Sequence, residues 1–398
     1  MKQWAALAAL MLLAITLRLG ADLYLDAARS LSNENRQIAA HLASGQGYSF
    51  REFQHLGPTS VRAPVYPALL AVLHQVSEAD AYWTGFGALG INLTIAGAIV
   101  PLSFLLALRL TSRPRVAWAF AVLMAIWPTQ IYAATFVQGL TLAIMLSLGA
   151  ILLLLRARVS PEHRQTAFAV AGGFLAALAM LTEAMLTWPL LLSALFLLFG
   201  RPRLLLAAAL PAMVLIGPWL YRNALVHNQL TGITNTFSRD LFNGNGPDAT
   251  GSLHLETANF AGRPVTRVEQ LSPQETDALR RQPESIRNAW FRQRTIAWIA
   301  EHPGAYLKLC AVRIAKTLWL DWHHPQSWRG PNVIARSIAL VGFMLALALR
   351  RNVTLPLLWC AGVVLGSTFT LAEARTSTFI DVGQLLALAM LADRRLKT

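Results

Sequence analysis

Blocks of apolar residues about as long as the hydrocarbon core of a bilayer recur along this chain of 398 residues, and they constrain its fold more than any motif does. A helix needs about twenty such residues to cross roughly 30 Å of hydrocarbon. Ten blocks meet or approach that length, over residues 4–20, 85–108, 116–133, 138–155, 166–182, 184–200, 204–221, 333–349, 353–372 and 376–392. Only 14% of residues are charged, against about 25% in soluble globular proteins, which excludes an ordinary soluble enzyme. The pattern predicts an all-α polytopic membrane protein with about ten transmembrane helices.

An even number of spans puts both termini on one side. The segments on that side carry Lys2; Arg109, Arg113 and Arg115; Arg156, Arg158 and Arg164; Arg201 and Arg203; Arg350 and Arg351; and Arg394, Arg395 and Lys397. By the positive-inside rule that side is the cytoplasm. It holds 14 Lys/Arg against two acids, Glu162 and Asp393, and leaves 20 Lys/Arg against 18 Asp/Glu outside. The formal net charge of +14 is therefore an orientation signal, and no nucleic-acid partner is expected. The first span also admits a second reading as a cleaved signal peptide ending near Leu19-Gly20-Ala21, which leaves the other nine unchanged. Cys310 and Cys360 are too few and too isolated for a disulfide framework or a metal site.

Two long segments fall outside, residues 21–84 and 222–332, and loops of this length are usually functional or separately folded. The chain thus divides into an N-terminal membrane module over 1–222, which includes the first outer loop and spans one to seven; an outer loop over 223–332; and C-terminal spans over 333–398. In the first loop, Ser32 is placed to cap a helix carrying Glu34, Ile38 and Leu42 on one face, ended by Gly45 and Gly47. The apolar run Ala68–Leu73 is too short to cross and reads as an interfacial helix. In the second loop, residues 250–283 look polar and irregular. From Pro283 to Trp322 a helical pattern, broken at His302-Pro303-Gly304, sets Trp290, Trp298, Trp319 and Trp322 among Arg287, Arg292, Arg294, Arg313 and Lys316, as an interface-lying helix pair requires.

Charges near hydrocarbon must be paired or hydrated and tend to mark function. Glu34, with Asp22 and Asp26 behind it, suits a general base; a helix-start acid favoured by the macrodipole explains Glu34 equally. Arg62, Arg222 and Arg375 lie at outer membrane boundaries, where a guanidinium fork suits a phosphate oxygen, although snorkelling explains any one of them. Glu373 and Arg375 sit in one short turn and can pair with each other. Glu183 and Gln138 stand at other outer turns. The adjacent pair His323-His324 lacks the partners of a zinc site. No phosphate-cradling Gly-rich loop, Gly-x-Ser-x-Gly or zinc signature occurs, which argues against nucleotide-driven chemistry and for a substrate delivered through the membrane.

Five short elements, in order, resemble those of the GT-C fold integral-membrane glycosyltransferases of family 39 type, relatives of protein mannosyltransferases and the lipid A aminoarabinose transferase. They are Glu34 followed by Ile38 to Ser49; Gly57-Pro58-Thr59 with Arg62-Ala63-Pro64-Val65-Tyr66-Pro67; Pro218-Trp219 with Arg222-Asn223 and Gly244-Asn245; Glu301-His302-Pro303 with Arg313; and Ala372-Glu373-Ala374-Arg375. The resemblance implies transfer of a glycosyl group, with inversion, from a polyprenyl monophosphate sugar to an acceptor hydroxyl on the outer face of a bacterial inner membrane. It implies Glu34 as base with Asp22 and Asp26 in reserve, Arg62, Arg222 and Arg375 on the donor phosphate, and Tyr66, Asn223 and Glu373 in the substrate cavity. The acceptor is a lipid, glycan or protein. No cofactor is expected. The sequence departs from the family at Glu34, where relatives carry Asp, at Gln138 for Glu, and at Thr376 for Tyr. These departures bear on a second acidic site and on any divalent metal that two acids would hold. A lipid or sugar flippase, and a GT-C protein that has lost catalysis while serving envelope glycan assembly, remain the alternative readings.

Overall fold

The computed structural model describes residues 2–25, 34–52, 55–77, 80–260, 263–349, 352–373 and 375–393. Asp26 and Ser32 lie outside the described residues.

The chain opens with a long apolar helix, α1 (Lys2–Leu25), and the first outer loop then folds as α2 (Glu34–Ala43), a hairpin of β1 (Ser49–Glu52) and β2 (His55–Pro58), and α3 (Val65–Val76). Gly45 and Gly47, at φ +77° and +73°, take the left-handed backbone that stops α2 where the sequence places its end. The hairpin pairs Ser49 with Pro58 and Glu52 with His55. Then follow α4 (Ala81–Thr111), α5 (Pro114–Ile126), α6 (Pro128–Thr135), α7 (Leu140–Val159), α8 (Glu162–Met180), α9 (Thr187–Leu197) and α10 (Pro202–His227). The second outer loop contains α11 (Phe237–Gly244), the hairpin β3 (His254–Phe260) and β4 (Arg263–Thr266), α12 (Pro273–Leu279), α13 (Glu284–Glu301) and α14 (Pro303–Leu318). The chain closes with α15 (Gly330–Ala348), α16 (Thr354–Thr368) and α17 (Thr376–Met390).

All ten expected spans fall on helices. Among the described residues five of these, α1, α4, α7, α10 and α15, are each long and apolar enough to cross a bilayer, and α5 with α6, bent by 48° at their break, makes a sixth when the pair is read as one span. The remaining spans are shorter or more polar. A short helix is tolerated where protein rather than lipid surrounds it, and α17 is buried almost throughout, against α5, α6, α14, α15 and α16. By contrast, α10 exposes Leu206, Leu210, Met213 and Val214, and α15 exposes Ile338, Val341 and Met344, as lipid-facing helices do. Small residues allow close helix contact: a Cβ at Gly173 of α8 would overlap the Ala208 carbonyl of α10.

Three buried cations tie this bundle together. Arg18, 1% exposed, donates to the Ala14, Ala125 and Met124 carbonyls at 3.0, 2.7 and 3.0 Å, satisfying the end of α5 at its break. Arg336 of α15 donates to the Thr317, Leu318 and Trp319 carbonyls at the end of α14 and pairs with Asp381 of α17, which also accepts from Trp127 at 3.1 Å and from Thr129. Arg313 of α14 donates to the Gly244 and Thr368 carbonyls at 2.6 and 3.0 Å.

The second outer loop departs from expectation in two ways. Among the described residues, 250–283 are not wholly irregular. They hold the β3–β4 hairpin and α12, which begins with a reciprocal capping box between Ser272 and Glu275. The break at His302-Pro303 is where the sequence places it, but Arg287, Arg313 and Lys316 are buried rather than lying at an interface. Their donors are taken by Gln282, Thr368 and Thr250 carbonyls and by Glu52, so these helices turn their basic side chains into the protein.

Candidate functional site: two cavities sharing a charged wall

The first outer loop, α11 and the turn between α16 and α17 converge on two cavities. One, of about 560 Å³, is a polar chamber whose lining includes Glu34, Glu52, Arg239, His254, Lys316 and Arg336. The other, of about 610 Å³, is lined mainly by apolar side chains, among them Met185, Trp188, Ile216 and Leu220, with Asn35, Thr182 and Glu183 also on it. Both are bounded by Arg62, Gln138, Thr236, Asp240, Glu373 and Arg375. A polar chamber and an apolar cleft thus meet across a wall that holds two guanidiniums and two carboxylates.

Arg62 reaches this wall because the irregular segment between β2 and α3, residues 59–64, carries it there. It pairs with Glu34 at 3.1 Å, and its buried Nε has no hydrogen-bond partner. Such an orphan donor costs free energy unless an acceptor meets it. Arg375, at the start of α17, pairs with Glu373 two residues earlier, the short-turn pairing foreseen from sequence. Burial lowers the proton affinity of Arg375, but Glu373 and Glu183 outweigh it and push it above the usual arginine range.

The Glu34 carboxyl is pushed up by burial, yet Arg62, Arg239 and its own backbone N–H hold it at about 2, below its ordinary 4.5. Asp240 behaves oppositely: burial and Glu373 raise it above the usual carboxylate range despite Arg239, Thr236 and Arg375. Arg239 donates to Glu52 at 3.1 Å, and Arg287 pairs with the other Glu52 oxygen. Deeper in the chamber, Lys316 pairs with Asp321 at 3.3 Å, Ser252 donates to Asp321 at 2.5 Å, and the His254 and His324 rings lie 5.3 Å apart. Burial lowers both histidines, favouring neutral imidazoles.

Of the residues singled out from sequence, Glu34, Arg62, Glu373 and Arg375 are brought together, with Gln138 beside them. The structure does not bring Arg222, Asn223, Tyr66 or Asp22 to either cavity. Arg222 donates to the carbonyls of Thr59 at 2.5 Å and Tyr48 at 3.0 Å and stacks on Tyr48 and Trp219, so it clamps the first outer loop. Asn223 joins that clamp through Ser60 at 2.7 Å. Tyr66 is buried with its hydroxyl 3.5 Å from Asn92, and Asp22 is buried on α1. Sequence reasoning missed Arg239, Asp240, Glu52 and the Lys316–Asp321 pair. Arg239 and Asp240 stand on the polar side of a helix only eight residues long, Phe237–Gly244, which is too short to stand out from a long polar loop, although the acid–base doublet just before Gly244-Asn245 marked the place. Among the described residues no three His, Cys, Asp or Glu side chains gather as a metal-ligand set.

Comparison with solved structures defines the fold. The chain is similar to the archaeal oligosaccharyltransferase AglB from Archaeoglobus fulgidus. The form in complex with an inhibitory peptide and a dolichol-phosphate aligns at TM-score 0.54 and 14% identity, over 98% of this chain and 50% of that one. The form in complex with Zn and sulfate aligns at 0.52 and 14%, over 97% and 48%. ArnT from Cupriavidus metallidurans bound to undecaprenyl phosphate aligns at 0.46 and 14%, over 98% and 77%. The chain spans about half the length of AglB. It has the GT-C type polytopic membrane fold. No family model matches the chain, and neither does any curated protein sequence.

Proposed function

We propose that the protein transfers a glycosyl group from a polyprenyl monophosphate sugar to an acceptor hydroxyl. The observation that carries this reading is the shared wall, where Arg62, with its unpartnered buried Nε, and Arg375 stand between an apolar cleft and a polar chamber. A donor whose tail is hydrocarbon and whose head is phosphate and sugar matches that sequence of surfaces: prenyl chain in the apolar cleft, phosphate at the arginines, sugar in the chamber. The dolichol-phosphate in the AglB complex and the undecaprenyl phosphate in the ArnT complex are ligands of the same chemistry.

In the transfer, an acceptor oxygen attacks the anomeric carbon with inversion while the bond to the phosphate oxygen breaks. The phosphodiester carries one negative charge and the departing monoester two, so guanidiniums at the phosphate favour the transition state over the ground state. A carboxylate of the chamber receives the hydroxyl proton. Glu34, the acid nominated from sequence, is held ionised beside Arg62, which makes it a weak base and a firm anchor for that guanidinium. No cofactor takes part in this scheme. The positive-inside arrangement supports chemistry on the outer face of a bacterial inner membrane.

The test is binding of undecaprenyl phosphate to the purified protein in detergent. Wild type binds it, and the double variant R62A/R375A loses at least a hundredfold in affinity, since each charge-assisted contact contributes about ten- to a hundredfold. Equal affinity in both proteins contradicts the phosphate site.

A further inference from the structure

Glycosyl transfer needs a base that is both ionised at working pH and ready to accept a proton, and most acids at this site are occupied otherwise. Glu34 is paired with Arg62 at 3.1 Å, Glu52 with Arg239 at 3.1 Å and with Arg287, and Glu373 with Arg375. Asp240 is different. It lies on α11 at the wall common to both cavities and is hydrogen-bonded to Thr236, while the neighbouring Arg239 is turned to Glu52. No arginine pairs with Asp240 among the described residues. Of the two carboxylates on the shared wall, Asp240 and Glu373, it is thus the one not paired with an arginine among the described residues.

We propose that Asp240 is the general base of the transfer and that Glu34 is a positioning residue acting through Arg62. This rests on the glycosyl-transfer reading above. As the acceptor oxygen bonds to the anomeric carbon, its proton passes to the Asp240 carboxylate. The bond from that carbon to the phosphate oxygen breaks, and its electron pair stays on the phosphate. The monoester produced has a second pKa of about 6, so it takes the proton from Asp240 and restores the carboxylate.

The electrostatics agree. Asp240 faces Arg239 on its own helix, Thr236 at the helix start, and Glu373 and Arg375 from the turn before α17, with Arg62 and Gln138 on the same wall. The balance raises its proton affinity, whereas Glu34 is held at about 2. A general base works best with its pKa near the working pH.

The experiment measures kcat and donor KM between pH 5 and 8 for wild type, D240N, D240E and E34Q. The donor is the polyprenyl monophosphate sugar pool labelled in the sugar and extracted from cells without the protein, and cell-envelope extract supplies the acceptor. Undecaprenyl phosphate binding reports that each variant is folded. D240N is expected to lose about 10²- to 10⁴-fold in kcat, to keep its affinity for undecaprenyl phosphate within about threefold, and to lose the fall in rate toward acid pH. D240E recovers part of kcat. E34Q keeps the acid limb and chiefly raises donor KM. Retention of kcat and the acid limb by D240N, or loss of that limb in E34Q instead, overturns the assignment while leaving glycosyl transfer intact. Absence of both transfer and lipid binding in the wild-type protein removes the glycosyl-transfer reading and the Asp240 role with it.

Discussion

Three arginines looked alike in the sequence, each at an outer membrane boundary, and the fold gives them different work. Arg62 and Arg375 face the cavities, whereas the Arg222 guanidinium is consumed by the Thr59 and Tyr48 carbonyls. Arg222→Ala is therefore expected to destabilise the first outer loop by about 2–4 kcal/mol through buried acceptors left unpaired. Thermal unfolding in detergent reads this, with undecaprenyl phosphate affinity of the folded fraction within threefold of wild type; a large loss of affinity at unchanged stability would place Arg222 on the phosphate after all. Glu34 gives a pH signature. Its folded pKa of about 2 lies below the ordinary 4.5, so its pairing stabilises fully above about pH 4.5 and is lost as pH falls toward 2. Wild type should lose its stability margin over Glu34→Gln across that window, and parallel acid-unfolding curves would contradict the pairing. Glu34, Arg62, Glu373 and Arg375 were legible because short motifs carried them. Asp240 was not, because nothing local separates an acid in a cavity from an acid in solvent; its significance comes from Glu373 and Arg375, more than 130 positions away in the chain.

At the scale of elements, apolar periodicity and punctuation carried the reading where they were strong. Gly45 and Gly47 stop α2, and Pro303 divides α13 from α14, as composition alone indicates. The Ser272-to-Glu275 capping box has a sequence signature of its own, but it stands in the polar 250–283 stretch, where no apolar period supports it. The inward turn of Arg287, Arg313 and Lys316 had no such signal, since an amphipathic helix shows which faces differ and not which neighbour each face meets. Helix contacts in the bundle rest on small residues. Gly173→Ala, which drives a Cβ into the Ala208 carbonyl between α8 and α10, should cost about 1–3 kcal/mol. Gly217→Ala on α10, where a Cβ meets nothing within 4 Å, serves as the control and should leave thermal stability nearly unchanged.

For the whole molecule, low charged fraction and ten apolar blocks already specified a polytopic membrane protein, and the fold places a helix on every block. What the blocks did not show is that α17 lies within the bundle and owes its burial to protein, with Asp381 holding Arg336 and the Trp127 break together. The burial of those charges near the cavity ends favours a fixed chamber over the moving charged path of a flippase. The central claim is that a sugar leaves its polyprenyl phosphate at the shared wall. It is tested most directly by reconstituting the purified chain in liposomes with a polyprenyl monophosphate sugar pool labelled in the sugar and with cell-envelope extract as acceptor, then following where the label goes. Label should leave the lipid and appear on an acceptor, and R62A/R375A should abolish that movement. Label that crosses the bilayer still attached to its lipid, with none transferred, would contradict it.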